Sequence, residues 1–187
     1  MQFIAKFIFF KIMGWRFNGH FPDIDKCVII VVPHTSNWDF ALGLLIRKIW
    51  NKEINYIGKK SLFIWPYGWF FRWVGGTPID RTKNSNTVQA SAAIFKERKI
   101  FRLSLSPEGT RKRVTSWKTG FYFIAKTAQV PVLLISFDYG RKEIKVSQPL
   151  LTTENKDEDF KVYEDFFEGS RGKNHSEGFF KQSDHTH

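Results

Sequence analysis

The sequence predicts a single α/β domain, with a largely parallel central sheet flanked by helices and an N-terminal interfacial helix. Short apolar runs rich in β-branched residues alternate with longer segments of helical periodicity, which is the pattern of βαβ units. The chain has 187 residues, which is enough for one domain with a sizeable core. Hydrophobic residues make up 42% of it, which excludes a disordered chain.

The predicted elements follow one another without a repeat or a low-complexity linker. The strands are short apolar runs, and the helices have apolar residues three and four positions apart. Ser36 or Asn37 can cap the second helix. Pro66 divides an aromatic segment, so we expect helix on either side of it. In chain order the elements are strand 26–32, helix 38–50, strand 54–59, helical segment 61–76, helix 85–99, strand 100–106, helix 117–129, strands 130–139 and 143–150, and helix 157–169.

The N-terminal segment is apolar and aromatic, but Lys6, Lys11 and Arg16 interrupt it. It therefore lacks the apolar core of a signal peptide and the roughly 18 apolar residues of a spanning helix. A helix lying in a bilayer interface fits this composition, and a first helix packed on the core is the alternative. We divide the chain into residues 1–25, the membrane-interface helix and its lead-in; residues 26–169, the main domain; and residues 170–187, a polar tail.

Charge and ring content narrow the classes of partner. The net charge is +11, so the surface should attract nucleic acid, acidic lipid headgroups, phosphorylated small molecules or an acidic protein. Aromatic residues make up 17% of the chain, which suits a membrane interface or a surface that stacks single-stranded nucleic acid. Cys27 is the single cysteine, so no intramolecular disulfide forms, and its apolar context predicts a buried thiol.

The segment VVPHTSNWDF, 31–40, places His34 and Asp39 directly after the first predicted strand. Sites in parallel sheets lie beyond the carboxyl ends of the strands. The loop PEGTRKR follows the strand 100–106, so both loops open on one edge if these strands are parallel neighbours. An aspartate can orient a histidine ring and leave its other nitrogen to accept a proton. Taken alone, this pair is more simply a core histidine hydrogen-bonded to a capping aspartate.

The sequence provides this candidate base without a convincing protein nucleophile. Cys27 is predicted to be buried, and no serine lies in a nucleophile-elbow pattern. A substrate hydroxyl or water is therefore the expected attacker. We expect no metal, because no other histidine or cysteine lies near His34 in the sequence. Walker and Rossmann patterns are missing, so ATP and NAD have no support.

Two glycine-containing basic segments are candidates for anion binding. In 107–113, glycine lets backbone N–H groups approach an anion, threonine adds a hydroxyl and arginine grips phosphate with two bonds. In GGTPIDR, 75–81, Arg81 adds a second arginine. A basic surface turn and a glycine turn with a local Asp80–Arg81 ion pair are the respective alternatives.

Four blocks in this order resemble the glycerolipid acyltransferase family, whose best-known members are lysophosphatidate acyltransferases. They are the His-x4-Asp pair, GGTPIDR, Glu-Gly-Thr-Arg at 108–111 followed by Lys118 and Gly120, and the strand start VPVLLISF with Pro131. The resemblance extends from about residue 26 to 150. The chain departs from the pattern at Pro33, Asn37, Trp38 and Pro78, which leaves the identity of the acceptor open.

The resemblance implies a direct acyl transfer. His34, oriented by Asp39, takes the proton of an acceptor hydroxyl, whose oxygen attacks the thioester of acyl-CoA or acyl carrier protein. No acyl-enzyme forms, and no cofactor is needed beyond this co-substrate. The expected partners are the bilayer and a lysophospholipid acceptor, at the cytoplasmic face of the membrane. The residues implied in holding the acceptor are Arg81, Glu108, Gly109, Thr110, Arg111 and Lys118.

Two other interpretations remain at this stage. The same chemistry on another acceptor, such as a lyso-ornithine lipid or a glycolipid precursor, fits the same motifs. A basic nucleic-acid-binding module fits the charge and the ring content. It predicts rings and cations interleaved in one groove, whereas this sequence groups its rings in apolar segments.

Overall fold

A computed structural model of the chain describes residues 2–79, 87–174 and 176. Within these ranges seven strands form one sheet, in the order β1-β7-β6-β2-β5-β3-β4, with helices on both faces. The elements are α1 (Gln2–Phe7) with a π-helical turn (Ile8–Ile12), β1 (Arg16–Asn18), β2 (Lys26–Val32), α2 (Trp38–Trp50), β3 (Asn55–Lys59), a 3₁₀ turn (Lys60–Phe63), α3 (Gly68–Trp73), β4 (Gly76–Ile79), α4 (Thr87–Glu97), β5 (Phe101–Leu105), α5 (Gly120–Ala128), β6 (Val132–Asp138), β7 (Glu143–Val146) and α6 (Lys156–Phe167).

The central strand β2 has a parallel neighbour on each side. Val28 lies opposite Leu103 of β5 and Val132 of β6. Strands β3 and β4 extend the parallel part beyond β5, whereas β7 runs antiparallel to β6. The carboxyl ends of β2, β5 and β6 therefore meet at one edge of the sheet, as the sequence predicted for β2 and β5.

The two faces of the sheet carry separate apolar cores. Alternate residues of β2 point to opposite faces. Val28 and Ile30 pack with residues of α4, α5 and α6, while Cys27 and Ile29 pack with residues of α1 and α2. The fold class predicted from the sequence is confirmed.

The N-terminal segment is partly buried and partly exposed. Ala5, Phe9 and Trp15 belong to the core on the α2 face, which agrees with a helix packed on the domain. Phe3 and Phe7 remain exposed, which agrees with an interfacial helix. None of the helices in the described ranges has both the length and the apolar character to cross a bilayer.

Some local features differ from the sequence predictions. For GGTPIDR a glycine turn was the alternative to an anion-binding segment, and the structure shows Gly76–Ile79 as the edge strand β4 beside β3. Strand β1 was not predicted, because its three residues are stabilised by pairing with β7 rather than by an apolar run. Of the two candidate caps of α2, the Ser36 hydroxyl accepts the backbone N–H of Trp38 at 3.2 Å, whereas the side chain of Asn37 makes no capping bond. Arg81 and Asp80 lie outside the described residues.

Candidate active site at the edge of the sheet

Three neighbouring strands contribute polar side chains to one edge of the sheet. His34 follows β2, Glu108 follows β5 and Tyr139 follows β6. Asp39 lies in the first turn of α2, five residues after His34. Direct hydrogen bonds join these four residues, so the strand order assembles one site from segments that are distant in sequence.

His34 and Asp39 form the predicted pair. The ring nitrogen Nδ1 of His34 lies 3.1 Å from Oδ2 of Asp39. The Asp39 side chain is almost fully buried, whereas that of His34 is 32% exposed. A carboxylate on Nδ1 favours the tautomer in which Nδ1 carries the proton and Nε2 is available as an acceptor. The geometry therefore agrees with an oriented base rather than with a fully buried core histidine.

Short hydrogen bonds hold the Asp39 carboxylate in its buried position. Oδ2 accepts the backbone N–H groups of Thr35 and Ser36, both at 2.9 Å, and Oδ1 accepts the Tyr139 hydroxyl at 2.7 Å. Burial raises the pKa of Asp39, but the hydrogen bonds from His34, Tyr139 and Ser36 outweigh it, so the pKa lies below its ordinary value. Asp39 is therefore ionised at neutral pH and can stabilise a protonated His34.

Glu108 joins the loop after β5 to the loop after β2. It is 1% exposed, and its Oε2 accepts the backbone N–H of His34 at 2.7 Å. The Ser106 hydroxyl donates to the same oxygen at 3.3 Å. These contacts indicate that Glu108 supports the backbone at His34, a role that the sequence did not predict.

The rest of the basic loop is exposed beside the pair. Arg111 donates a hydrogen bond from Nη1 to the side-chain oxygen of Asn37, within the His-x4-Asp segment. Gly109 has a φ of +65°, and a Cβ atom there would lie 2.7 Å from the Lys118 side chain. The positive φ favours glycine at this position, and a Cβ atom there would require the end of the Lys118 side chain to move. Thr110 and Lys118 are exposed, and the bond from Arg111 to Asn37 joins this loop to the His-x4-Asp segment.

An apolar cavity of about 280 Å³ extends from the pair beneath α2. His34 and Asp39 lie in its wall together with apolar side chains from the sheet and from α2, including Ile29, Phe40 and Ile135. Gly43 also lies in the wall, and a Cβ added there would meet no atom within 4 Å. An apolar cavity of this size can accommodate a flexible hydrocarbon chain.

Comparison with known proteins decides the family. The family model described as Acyltransferase matches residues 17–138, which is more than half of the chain. The chain belongs to the acyltransferase family. The match includes β2, β5, the His34–Asp39 segment and the 108–111 segment, so the resemblance inferred from the four blocks is confirmed.

This acyltransferase-family chain is similar to a 1-acyl-sn-glycerol-3-phosphate acyltransferase of Streptococcus pneumoniae, with 28% identity over 132 residues. The alignment covers 66% of this chain and 49% of the relative, so the chain spans about half the length of that protein. The fold is similar to the crystal structure of the 1-acyl-sn-glycerophosphate (LPA) acyltransferase PlsC from Thermotoga maritima, with a TM-score of 0.60 and 21% identity. That similarity covers 88% of this chain and 73% of the other chain.

Two contacts at this acyltransferase-family site were missed from the sequence. Tyr139 reaches Asp39 across 100 positions of sequence. Residues 170–174, the start of the predicted polar tail, pack on the His34 loop: the Asn174 side chain donates to the Thr35 carbonyl at 2.8 Å. A Cβ atom on Gly172 would lie 2.6 Å from the Thr35 side chain. Neither contact has a local sequence signal, because both depend on the strand order.

Proposed function

We propose that the chain is a membrane-associated O-acyltransferase that moves a fatty acyl group from an acyl thioester to a hydroxyl of a lysophospholipid such as 1-acyl-glycerol-3-phosphate. One observation carries the proposal: an aspartate-oriented histidine lies in the wall of an apolar cavity and beside an exposed basic loop. The cavity suits an acyl chain, the loop suits a phosphate, and His34 lies between them. Family membership and the activity named for the two relatives support the same reaction.

The proposed reaction is general-base catalysis. His34 Nε2 takes the proton of the acceptor hydroxyl as its oxygen attacks the thioester carbonyl, and Asp39 stabilises the imidazolium that results. The tetrahedral intermediate expels the thiolate, which takes the proton from His34 and leaves as free thiol. The new ester bond replaces the thioester, and the base returns to its starting form.

A covalent intermediate on cysteine is disfavoured. Cys27 is fully buried within β2, and burial raises the pKa of its thiol to about 12. The thiolate is therefore scarce at neutral pH and faces the core rather than the cavity mouth. We accordingly assign the attack to the acceptor oxygen.

The basic loop is proposed to bind the phosphate of the acceptor. Arg111 and Lys118 are exposed cations in the segment between β5 and α5, and Thr110, directly before Arg111, adds a hydroxyl. Gly109 brings the loop backbone against Lys118. Arg81 remains a proposed ligand from its motif alone. Glu108 is proposed to act on the acceptor indirectly, through the backbone of His34.

An exposed aromatic surface supports peripheral attachment to a membrane. Trp65, Trp69 and Trp73 are 70% or more exposed, and they flank or belong to α3. Trp73 also lines a groove with Ile4 and Ile8 of the N-terminal segment, so the two aromatic regions adjoin. Several exposed tryptophans on or beside one short helix suit the headgroup region of a bilayer. We propose the cytoplasmic leaflet, where thioester donors occur, and the net charge of +11 suits anionic lipid, CoA or an acidic carrier protein.

The phosphate requirement separates the proposed acceptor from its main rival. With lysophosphatidate, Arg111→Ala should raise the acceptor KM about tenfold or more and leave kcat within about threefold, because the lost bonds hold the phosphate in both ground and transition states. With a phosphate-free lyso-ornithine lipid, the same variant should behave like the wild type. The measurement is thiol release by purified protein in detergent. If the wild type turns over only the phosphate-free acceptor, the lyso-ornithine lipid is the better candidate for the acceptor. If Arg111→Ala leaves the KM for lysophosphatidate unchanged, Arg111 does not bind the phosphate.

A further inference from the structure

Tyr139 and His34 contact different oxygen atoms of the Asp39 carboxylate. Its hydroxyl donates to Oδ1 at 2.7 Å, whereas His34 Nδ1 and two backbone N–H groups approach Oδ2. Among the residues that the structure describes, this hydroxyl is the donor found at Oδ1. Asp39 is 3% exposed, so bulk water has little access to Oδ1 and would not readily replace the Tyr139 hydroxyl as its donor.

Tyr139 is itself held on two sides. Its ring packs edge-on against Trp15, with centroids 5.0 Å apart and an interplanar angle of 87°. Its backbone N–H donates to the carbonyl of Arg171 at 2.8 Å. Burial and the hydrogen bond to Asp39 raise the pKa of Tyr139, so the phenol stays protonated and remains a donor. The N-terminal segment therefore holds the ring of Tyr139, and the segment after α6 holds its backbone.

The torsion about Cβ–Cγ of aspartate is intrinsically broad, so the orientation of the carboxylate plane depends on the hydrogen bonds that its two oxygens accept. The donors at Oδ2 oppose a rotation of the plane, and the Tyr139 hydroxyl at Oδ1 adds a restraint on the opposite side of the axis. Turning the carboxylate would move Oδ2 away from His34 Nδ1 and weaken the preference for one tautomer of the ring.

We propose that Tyr139 is a positioning residue for the reaction, and that its hydroxyl locks the Asp39 carboxylate in the plane that keeps His34 protonated on Nδ1 and open on Nε2. The proposal rests on the proposed role of His34 as the base. It adds a residue of the β6 end to a site otherwise formed by the loops after β2 and β5. Trp15 supports it from the N-terminal segment.

The test is Tyr139→Phe, which keeps the ring against Trp15 and removes only the hydroxyl. We expect kcat to fall about 5- to 20-fold, less than the loss of the base itself, with both KM values within about twofold of wild type. Tyr122→Phe is the matched control, since Tyr122 is a buried tyrosine whose hydroxyl donates to the Thr153 carbonyl in another part of the core. Its kcat should equal that of the wild type. When Tyr139→Phe is added to Asp39→Ala, kcat should fall by less than about a further twofold. The reason is that the carboxylate that Tyr139 orients is already absent.

A second readout does not depend on turnover. The ¹⁵N spectrum of the histidine rings, with His34 assigned by its loss in His34→Ala, reports which ring nitrogen carries the proton. In neutral rings we expect Nδ1–H for the wild type and Tyr122→Phe, and a mixture of tautomers for Tyr139→Phe. An unchanged tautomer, or an unchanged kcat, in folded Tyr139→Phe would overturn the proposal. If the wild type proves inactive, the function proposed above fails, while the tautomer comparison still decides whether Tyr139 orients the pair.

Discussion

Replacing His34 with alanine is expected to lower the rate of thiol release by about 100- to 10,000-fold, the contribution of a positioned general base. The reason is geometric. Asp39 engages Nδ1 at 3.1 Å, which directs Nε2 away from the carboxylate, and the ring lies in the wall of the apolar cavity. Donor and acceptor should still bind, because the cavity and the basic loop remain. The loss should therefore appear in kcat rather than in either KM.

The control for this variant is His20→Ala. His20 is exposed and lies in the lead-in before β2, so its removal should leave turnover unchanged. Folding of both variants is checked by their unfolding temperatures. If folded His34→Ala keeps more than about a tenth of the wild-type kcat with every acceptor tried, His34 is not the base.

Replacing Gly43 with leucine should change which acyl chains are transferred. Glycine within a helix costs about 1 kcal/mol relative to alanine, so its presence inside α2 needs a reason other than helix stability. Gly43 follows Asp39 by four residues and therefore lies on the same helical face, in the cavity wall. The space that a side chain would occupy is open. The glycine keeps room for a chain beneath α2.

We expect Gly43→Leu to lower kcat/KM for a palmitoyl thioester more than about tenfold relative to an octanoyl thioester, since a leucine side chain would fill part of the cavity. Gly43→Ala should have a smaller effect in the same direction. Ala41→Leu is the matched control, because Ala41 lies on the exposed side of the same helix. The measurement is competition between the two thioesters with product masses as the readout. Equal losses for both chain lengths in folded Gly43→Leu would mean that the acyl chain does not occupy this cavity.

Two kinds of contact in the site were predictable from the sequence: those between residues close together in the chain, and those that follow from parallel pairing of recognisable strands. His34 and Asp39 are five residues apart, so one turn into α2 suffices to bring them together. The run at 26–32 and the run at 100–106 were both recognisable as buried strands, and their parallel pairing places the two loops at one edge. The predicted proximity of the 107–113 loop to His34 follows from that register, and the Glu108 contact confirms it.

The parts that were not predictable depend on tertiary contacts. In the sequence, Tyr139 is only the last residue of a predicted apolar strand. Its hydrogen bond to Asp39 exists because β6 lies beside β2. The two glycines of GGTP favour a turn, but pairing with β3 places the second of them, Gly76, in strand β4. Asn174 lies in a polar stretch without periodicity, so nothing local marks its contact with Thr35. Pairwise contacts across the chain, rather than composition, determine these positions.

One measurement tests direct acyl transfer to a lysophospholipid most directly. Purified wild-type protein in detergent is given a palmitoyl thioester carrying a deuterated acyl chain, with and without lysophosphatidate, and the thiol, the lipid products and the intact protein are followed by mass spectrometry. We predict one labelled phosphatidate for each thiol released, no appreciable release without an acceptor, and no increase in the mass of the protein. Thiol release without acceptor accompanied by a labelled protein, or no labelled lipid with any lysolipid offered, would contradict it.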